Sequence, residues 1–531
     1  MIRRRNLVEG QRAEHLHQRM HVRRLVRPFL GCIACTFLVL SSSLIIAGDF
    51  DLMLKGGRVI DPETGLDSVR DVAIVDGRIA ALGADLGPSK ETIDVTGLIV
   101  APGFIDLHSH GAFSQANHQY ALYDGVTTVL ELEAGAHPVS DAREPISDKA
   151  ILNFGSSTGY LNARMLIKDG IIRPHFKVTG LSSFKGLWSA IRYQLGYDSQ
   201  ATHGQASDQE ITAILQLLEE DLADGAIGIG FLLDYMSEGV SANEVKRLFE
   251  FAAKRNQVIF VHLRRPEIQG DPLGLIEIIQ AAEQSGASVH IHHLVSLATK
   301  ASEKFLALLR AAQTRGVDIT TEIYPYQAGS TSIGANVFGR DWQKSFGITY
   351  SDIEYPVTGE RLTEARFNEL RESDPSAVII HHYRKEEWIK RVLTEDGVMV
   401  ASDAMLMKDL SSRVHPRSVG TFSRVLGRYV RDQGVLTIPL AIRKMTLLPA
   451  KRLEDMVPAM KRKGRIQEGA DADIIVFKAD TITDLGTYKE PNQFSVGMKH
   501  VLIGGQLALR DGKQVENVTN GRLVSSRATN K

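Results

Sequence analysis

Gly103-Phe104-Ile105-Asp106-Leu107-His108-Ser109-His110-Gly111 places two histidines two positions apart, directly after an apolar run. On a β-strand, residues i and i+2 project to the same face, roughly 6.5–7 Å apart. Two imidazoles so placed can close on one metal ion with bonds of about 2.0–2.1 Å. An isolated His-x-His arises by chance, and a lone strand histidine is usually a satisfied core residue. Here His262, His292, His293 and Asp403 recur at the ends of later strand-like runs, and Glu131 and Glu133 stand two apart after VTTVL. Acidic side chains are almost never fully buried unless paired, and a metal ion is one such partner. The pattern points to a metal-dependent hydrolase.

Working outward, β-type runs appear at 126–133, 151–156, 225–231, 257–263, 287–294, 317–324 and 397–403. Helical patterns at 208–223 (with an aspartate cap), 241–255, 272–285 and 302–315 separate several of them. With the strand ending at His110, eight strands alternate with helices. That predicts an α/β fold, a (β/α)8 barrel over 103–455, with the chemistry at the C-terminal strand ends. Residues 327–396 read as an insertion before the last strand, in a position suited to building a substrate pocket. Short strand runs punctuated by Gly and Asp-Gly turns occupy 49–102 and return over 456–515. Each piece is too small to fold alone, so the two are predicted to pair into one small β-sandwich domain. Residues 516–531 read as a polar, frayed tail.

The 531 residues are 43 % apolar and 24 % charged, ordinary values for a globular protein of two or three domains. A net charge of −1 gives no field to attract nucleic acid. An arginine-rich start is followed at 29–47 by FLGCIACTFLVLSSSLIIA. This layout predicts a signal peptide over 1–48, cleaved after Ala47 or Gly48, with Met20 as an alternative start and export to the periplasm or medium. The alternative is an uncleaved membrane anchor over 29–47, which would be the chain's only membrane contact. Both cysteines, Cys32 and Cys35, lie in this segment, so the mature chain is expected to offer no thiolate nucleophile or ligand. Nothing in the sequence indicates an oligomeric state.

From about Phe50 to Val515 the chain resembles the amidohydrolase superfamily, and within it the D-aminoacylase (N-acyl-D-amino-acid deacylase) group. The motifs that carry the resemblance include GRVIDPETG, APGFIDLHSHG, GAIGIGF, VHLRR, VHIHHL, YPYQAGST, VASDAM, HPRSVGTFSRVLGRYV and GADADIIVF. The resemblance implies that His108 and His110 bind one metal position and that His262 and His293 bind a second, with one or two zinc ions. It implies that Asp403 is the acid–base residue, and that Tyr324 and Ser330 help hold a substrate carboxylate.

Two departures from the group's pattern matter. Where it has a strand-2 Asn-Cys-Gly with a metal-bridging cysteine, this chain has Glu133-Ala134-Gly135. A carboxylate is a competent zinc ligand, so Glu133 is assigned the bridge, with Glu131 as runner-up. Val295 stands where the group has a carboxylate-binding lysine, so that role is expected to pass to Arg264, Arg265 or Arg417. Hydantoinase- and dihydroorotase-like relatives carry a bridging lysine on strand 4, and GAIGIGFLLDY contains none.

The implied reaction is hydrolysis of the amide of a small N-acyl-D-amino acid, with Asp403 taking a proton from the attacking water and passing it to the leaving amine. Asp403 is also counted among the metal-facing residues. Another amidohydrolase reaction (dipeptidase, lactonase or cyclic-amide hydrolase) and a non-catalytic binding protein on the same fold are the alternatives. The side chain, the acyl group and D against L preference are left open.

Overall fold

The structure, a computed structural model, describes residues 50–170 and 199–527. The leader assigned to 1–48 lies outside the described residues. Among the described residues no helix is long and apolar enough to cross a membrane.

Eight parallel strands follow one another around a barrel: β1 (Phe104–Asp106), β2 (Val126–Ala136), β3 (Asn153–Gly159), β4 (Ile229–Leu232), β5 (Val258–His262), β6 (Ser288–Ile291), β7 (Ile319–Ile323) and β8 (Val398–Val400). Parallel strands covered by helices are buried on both faces, so they read as near-continuous apolar runs; β5, VIFVH, is buried at every position. The ring closes beyond β1 and β8, where Ser109 bridges Ala404 and the His110 amide donates to the Ala404 carbonyl at 2.9 Å. His110 and Asp403 therefore sit at the closure seam.

Several predicted boundaries shift for identifiable reasons. The run at 225–231 joins the ladder only from Ile229, because Gly225 and Gly228 take φ of +92° and +65°. The run at 397–403 ends as strand at Val400, and Asp403 takes a φ of +52°. The helix Asp208–Ala223 is capped by Ser207, not by an aspartate: Ser207 accepts from the Glu210 amide and Glu210 accepts from the Ser207 amide. Asp208 instead lies in the first turn, where its charge complements the helix dipole.

Strands from before and after the barrel, within 50–102 and 474–514, meet in one nine-stranded sheet. Strand Ile99–Pro102 lies between Phe50–Asp61, which it pairs in parallel, and Ile474–Phe477, which it pairs antiparallel. Leu52, Val59, Val72, Val100, Ile474 and Leu502 are among the residues of its core. The segment after β7 forms a four-stranded antiparallel sheet (Ala328–Ser332, Val378–His382, Ile353–Tyr355 and Glu360–Arg361) with its own aromatic core of Phe338, Trp342, Phe346 and Phe367. The insertion is shorter than 327–396, because helix Glu386–Leu393 packs against Ser302–Thr314 and belongs to the barrel's outer ring. The tail is not frayed as far as Arg527. Val524, 2 % exposed, donates its amide to Phe154 of β3 at 2.7 Å, and Phe154 donates back to Arg522 at 3.1 Å.

Candidate metal centre and substrate cleft

The C-terminal ends of β1, β2, β5, β6 and β8 bring His108, His110, Glu133, His262, His293 and Asp403 together. Glu133 uses both oxygens. Its Oε1 lies 2.9 Å from His262 Nδ1 and 2.8 Å from His293 Nε2. Its Oε2 lies 3.2 Å from His108 Nε2 and 3.6 Å from His110 Nε2. Asp403 Oδ1 faces the same two nitrogens at 3.3 and 3.5 Å. His262 Nδ1 and His293 Nε2 are 3.1 Å apart. Donors on a tetrahedral ion at about 2.0–2.1 Å stand about 3.3–3.4 Å from one another, close to these separations. His108 Nε2 is buried and makes no well-aligned hydrogen bond, although Glu133 Oε2 and Asp403 Oδ1 both stand within 3.3 Å of it. A pair of imidazoles on each oxygen of one carboxylate is a donor set that fits one or two divalent cations.

The electrostatics agree. Burial opposes charge on His108, but Asp403, Glu133 and Glu322 outweigh it and hold the imidazole well above its ordinary value. Burial also opposes ionisation of Glu133, and His108, His262 and His293 hold it well below the usual carboxylate range. His110, desolvated but beside Glu131 and Asp403, is raised to about 10. The carboxylates therefore favour positive charge at this point. Two of the residues are held in the left-handed backbone region, His293 at φ +33° and Asp403 at φ +52°. For non-glycine residues this costs of order 1–3 kcal/mol and is retained mainly at functional sites.

Behind the donors lies a residue that the sequence reading missed. Glu322, on β7, accepts from His108 Nδ1 at 2.7 Å and from His292 Nδ1 at 3.1 Å, and its Oε1 is 3.3 Å from the His293 amide. A carboxylate on the far nitrogen of a ligating histidine fixes its tautomer and orientation. His292 is thus tied to Glu322. His290 is bonded through Nδ1 to Thr320 Oγ1 at 2.8 Å. Glu131, the runner-up for the bridge, contacts His110 Nδ1 at 2.9 Å and accepts from the Ala134 amide at 3.1 Å. It orients a donor from behind.

The cleft in front of the donors is lined on one side by the insertion sheet, through Gly329, Ser330, Thr331 and His381. Tyr324, Ser330 and Arg417 line it. Arg417 is 1 % exposed; its Nη2 lies 2.8 Å from Asp403 Oδ1, while Nε and Nη1 have no partner. The Tyr324 ring has the guanidinium of Arg384 at 4.0 Å and that of Arg417 at 4.4 Å. Ser330 Oγ donates to the Ile379 carbonyl at 2.8 Å. Arg264 does not reach the cleft. Glu277 of helix Leu273–Ser285 captures it at 3.1 and 3.2 Å, with the Ser237 and Val240 carbonyls behind. Its neighbour Arg265 lines the cleft instead.

The amidohydrolase family pattern matches residues 99–515. An N-acyl-D-glutamate deacylase of Alcaligenes xylosoxydans xylosoxydans is 32 % identical over 86 % of this chain and 93 % of its own length. A D-aminoacylase of the same organism is 30 % identical over 86 % and 94 %. The solved structure of an N-acyl-D-glutamate deacylase from Bordetella bronchiseptica, complexed with zinc and a phosphonate inhibitor, is 25 % identical, covers 90 % of this chain and 100 % of its own, and superposes with a TM-score of 0.70. Together with a closed eight-stranded barrel and clustered histidine and carboxylate donors at its mouth, these likenesses show that the chain belongs to the amidohydrolase family, in its D-aminoacylase group.

Proposed function

We propose that the chain is a zinc-dependent deacylase that hydrolyses the amide bond of small N-acyl-D-amino acids. The observation that carries this reading is the position of Glu133 between two pairs of imidazoles, with Asp403 and the part-paired Arg417 facing the same cleft. The names of the most similar relatives supply the substrate class.

His108 and His110 with Asp403, and His262 with His293, would hold the metal, and Glu133 would serve both positions. When bound, such an ion supplies Lewis acidity, polarising the scissile carbonyl and acidifying the attacking water. Arg417 and Tyr324 bind the substrate carboxylate and fix the acyl carbon in front of Asp403. Arg417 and His108 keep Asp403 ionised against the cost of its burial, so it can accept the proton that water loses as its oxygen bonds to the acyl carbon. Asp403 then delivers that proton to the nitrogen as the C–N bond breaks, and a neutral amine leaves. The insertion sheet above the cleft limits access of bulk water.

The test is release of free amine from N-acetyl-D- and N-acetyl-L-amino acids by metal-loaded protein beginning at Gly48. Turnover of D-forms is expected. Turnover of L-forms alone, or of neither with metal bound, overturns the reading. We also propose that residues 1–48 direct export; the N-terminal mass of protein recovered from the expressing cell's envelope tests this, and an intact Met1 or Met20 in the cytoplasmic fraction refutes it.

A further inference from the structure

The same cleft holds a second guanidinium that the reaction above does not use. Arg265, in the loop after β5, lines the cleft with a side chain only 8 % exposed. It is held rigidly: its guanidinium lies 4.1 Å over the Phe346 ring, Nη1 donates to the Ser296 carbonyl at 2.9 Å, and its amide donates to Asp234 Oδ1 at 2.9 Å. Its charge is only loosely matched. The nearest carboxylate oxygen, Asp234 Oδ2, is 3.9 Å from Arg265 Nε, beyond hydrogen-bond range, and Nε has no partner. Asp234 is engaged by Arg340 at 2.8 Å. Behind Tyr324 and Tyr383 lies Arg384, 4 % exposed, with no carboxylate partner among the described residues. His381, which also lines the cleft, is kept neutral by burial and by Arg265, Arg384 and Arg417, well below the usual imidazole value.

A buried, hydrogen-bond-poor guanidinium is expensive unless an anion completes it. Arg417 has Asp403 on one nitrogen and, in the reading above, the substrate's α-carboxylate on the others. Arg265 shares the distant Asp234 with Arg340 and has no anion of its own. Phe346, Val337 and Met405 supply apolar wall in the same cleft, suited to the methylenes that would join two carboxylates.

Resting on the deacylase reading, we infer that the cleft takes a dianionic N-acyl amino acid, with Arg265 holding the second carboxylate. That carboxylate can come from an acidic side chain or from a dicarboxylic acyl group, and the test separates the two.

The experiment compares kcat/KM for N-acetyl-D-glutamate against N-acetyl-D-glutamine, and for N-succinyl-D-alanine against N-butyryl-D-alanine, in the wild type, Arg265→Gln and Arg265→Lys. The wild type is expected to favour the acid at least tenfold in one pair, and that pair identifies the source. The preference should collapse in Arg265→Gln and survive in part in Arg265→Lys. Because each ratio is internal to one preparation, partial misfolding does not mimic the result. No preference in either pair, or a preference unchanged in Arg265→Gln, overturns the inference. Calorimetric binding of the same compounds to Asp403→Asn reads the subsite without turnover. Preferential binding of a diacid by a protein that hydrolyses none of the four would sink the deacylase reading and leave the subsite standing; equal binding within each pair would sink the subsite.

Discussion

Replacing Glu133 with Gln keeps the shape of the side chain and removes the charge shared by the two donor sets. Its Oε1 stands 2.8 and 2.9 Å from two imidazole nitrogens and its Oε2 3.2 and 3.6 Å from two more. At an effective dielectric of about 20, one unit charge at about 2.9 Å is worth about 6 kcal/mol. Keeping the carboxylate desolvated costs several kcal/mol. The difference puts the net loss in metal affinity at about 3 kcal/mol, roughly 150-fold. The His262–His293 position should suffer most, because without Glu133 it retains only two imidazoles, whereas His108 and His110 keep Asp403. Competition with a fluorescent zinc chelator measures the affinity, and elemental analysis after dialysis gives the stoichiometry. Glu133→Asp, which keeps the charge on a shorter arm, should fall between the wild type and Glu133→Gln. Zinc affinity and stoichiometry unchanged within threefold in Glu133→Gln would refute the assignment, and a large loss in Glu131→Gln alone would transfer the role to that residue.

Three further outcomes are expected. Asp403→Asn should retain metal at the His262–His293 position and lose at least about a hundredfold in kcat/KM; near-normal turnover refutes its acid–base role. Glu322→Gln, which weakens the support behind His108 Nδ1, should lower metal affinity by roughly 10–100-fold, and an unchanged chelator titration would reduce Glu322 to a packing residue. His118 is fully buried with Nε2 against the Ala112 carbonyl at 2.9 Å, and burial lowers it to about 4. Its depressed value means the unfolded chain binds the proton first, so stability from the neutral ring is present above pH 6.5 and is lost as pH falls toward 4. This group alone should remove about 2 kcal/mol between pH 7 and pH 5. Melting curves of His118→Gln should fall off less steeply over that range, and parallel curves would contradict the reasoning.

The metal-facing residues were legible because one rule places them: in a parallel barrel the C-terminal ends of all strands share a mouth, so histidines late in strand-like runs must approach one another. The bridge was assigned to Glu133 ahead of Glu131 on the resemblance, but that Glu131 would turn to His110 Nδ1 was not legible. The pairing of β2 with β3 shifts register between Glu131 and Ala136, and such irregularities leave no mark in an alternating pattern. Glu322 was within reach, since Thr320, Glu322 and Tyr324 alternate along β7 and a carboxylate inside an apolar run demands a partner. The choice between Arg264 and Arg265 depends on a loop, where no period says which neighbour turns inward and which is captured by Glu277. Arg384 and His381 arrive through the insertion sheet, and nothing local connects them to the barrel mouth.

The pairing of Pro102 with Ile474 joins positions roughly 370 residues apart. At ordinary rates of translation, an interval of roughly 20–70 s separates the emergence of the two, and closing so long a loop costs about 5 kcal/mol in chain entropy. Throughout that time Ile99–Pro102 lacks one neighbour and presents an unprotected edge to other chains. The Gly103 amide, bonded to the Asp473 carbonyl at 2.8 Å, leads directly into β1 and, two residues beyond its end, to His108. The first-made of the metal-facing histidines are thus anchored by nearly the last-made sheet, and a nascent chain stalled before residue 474 would display His108 and His110 on an unanchored segment, unable to keep a metal ion.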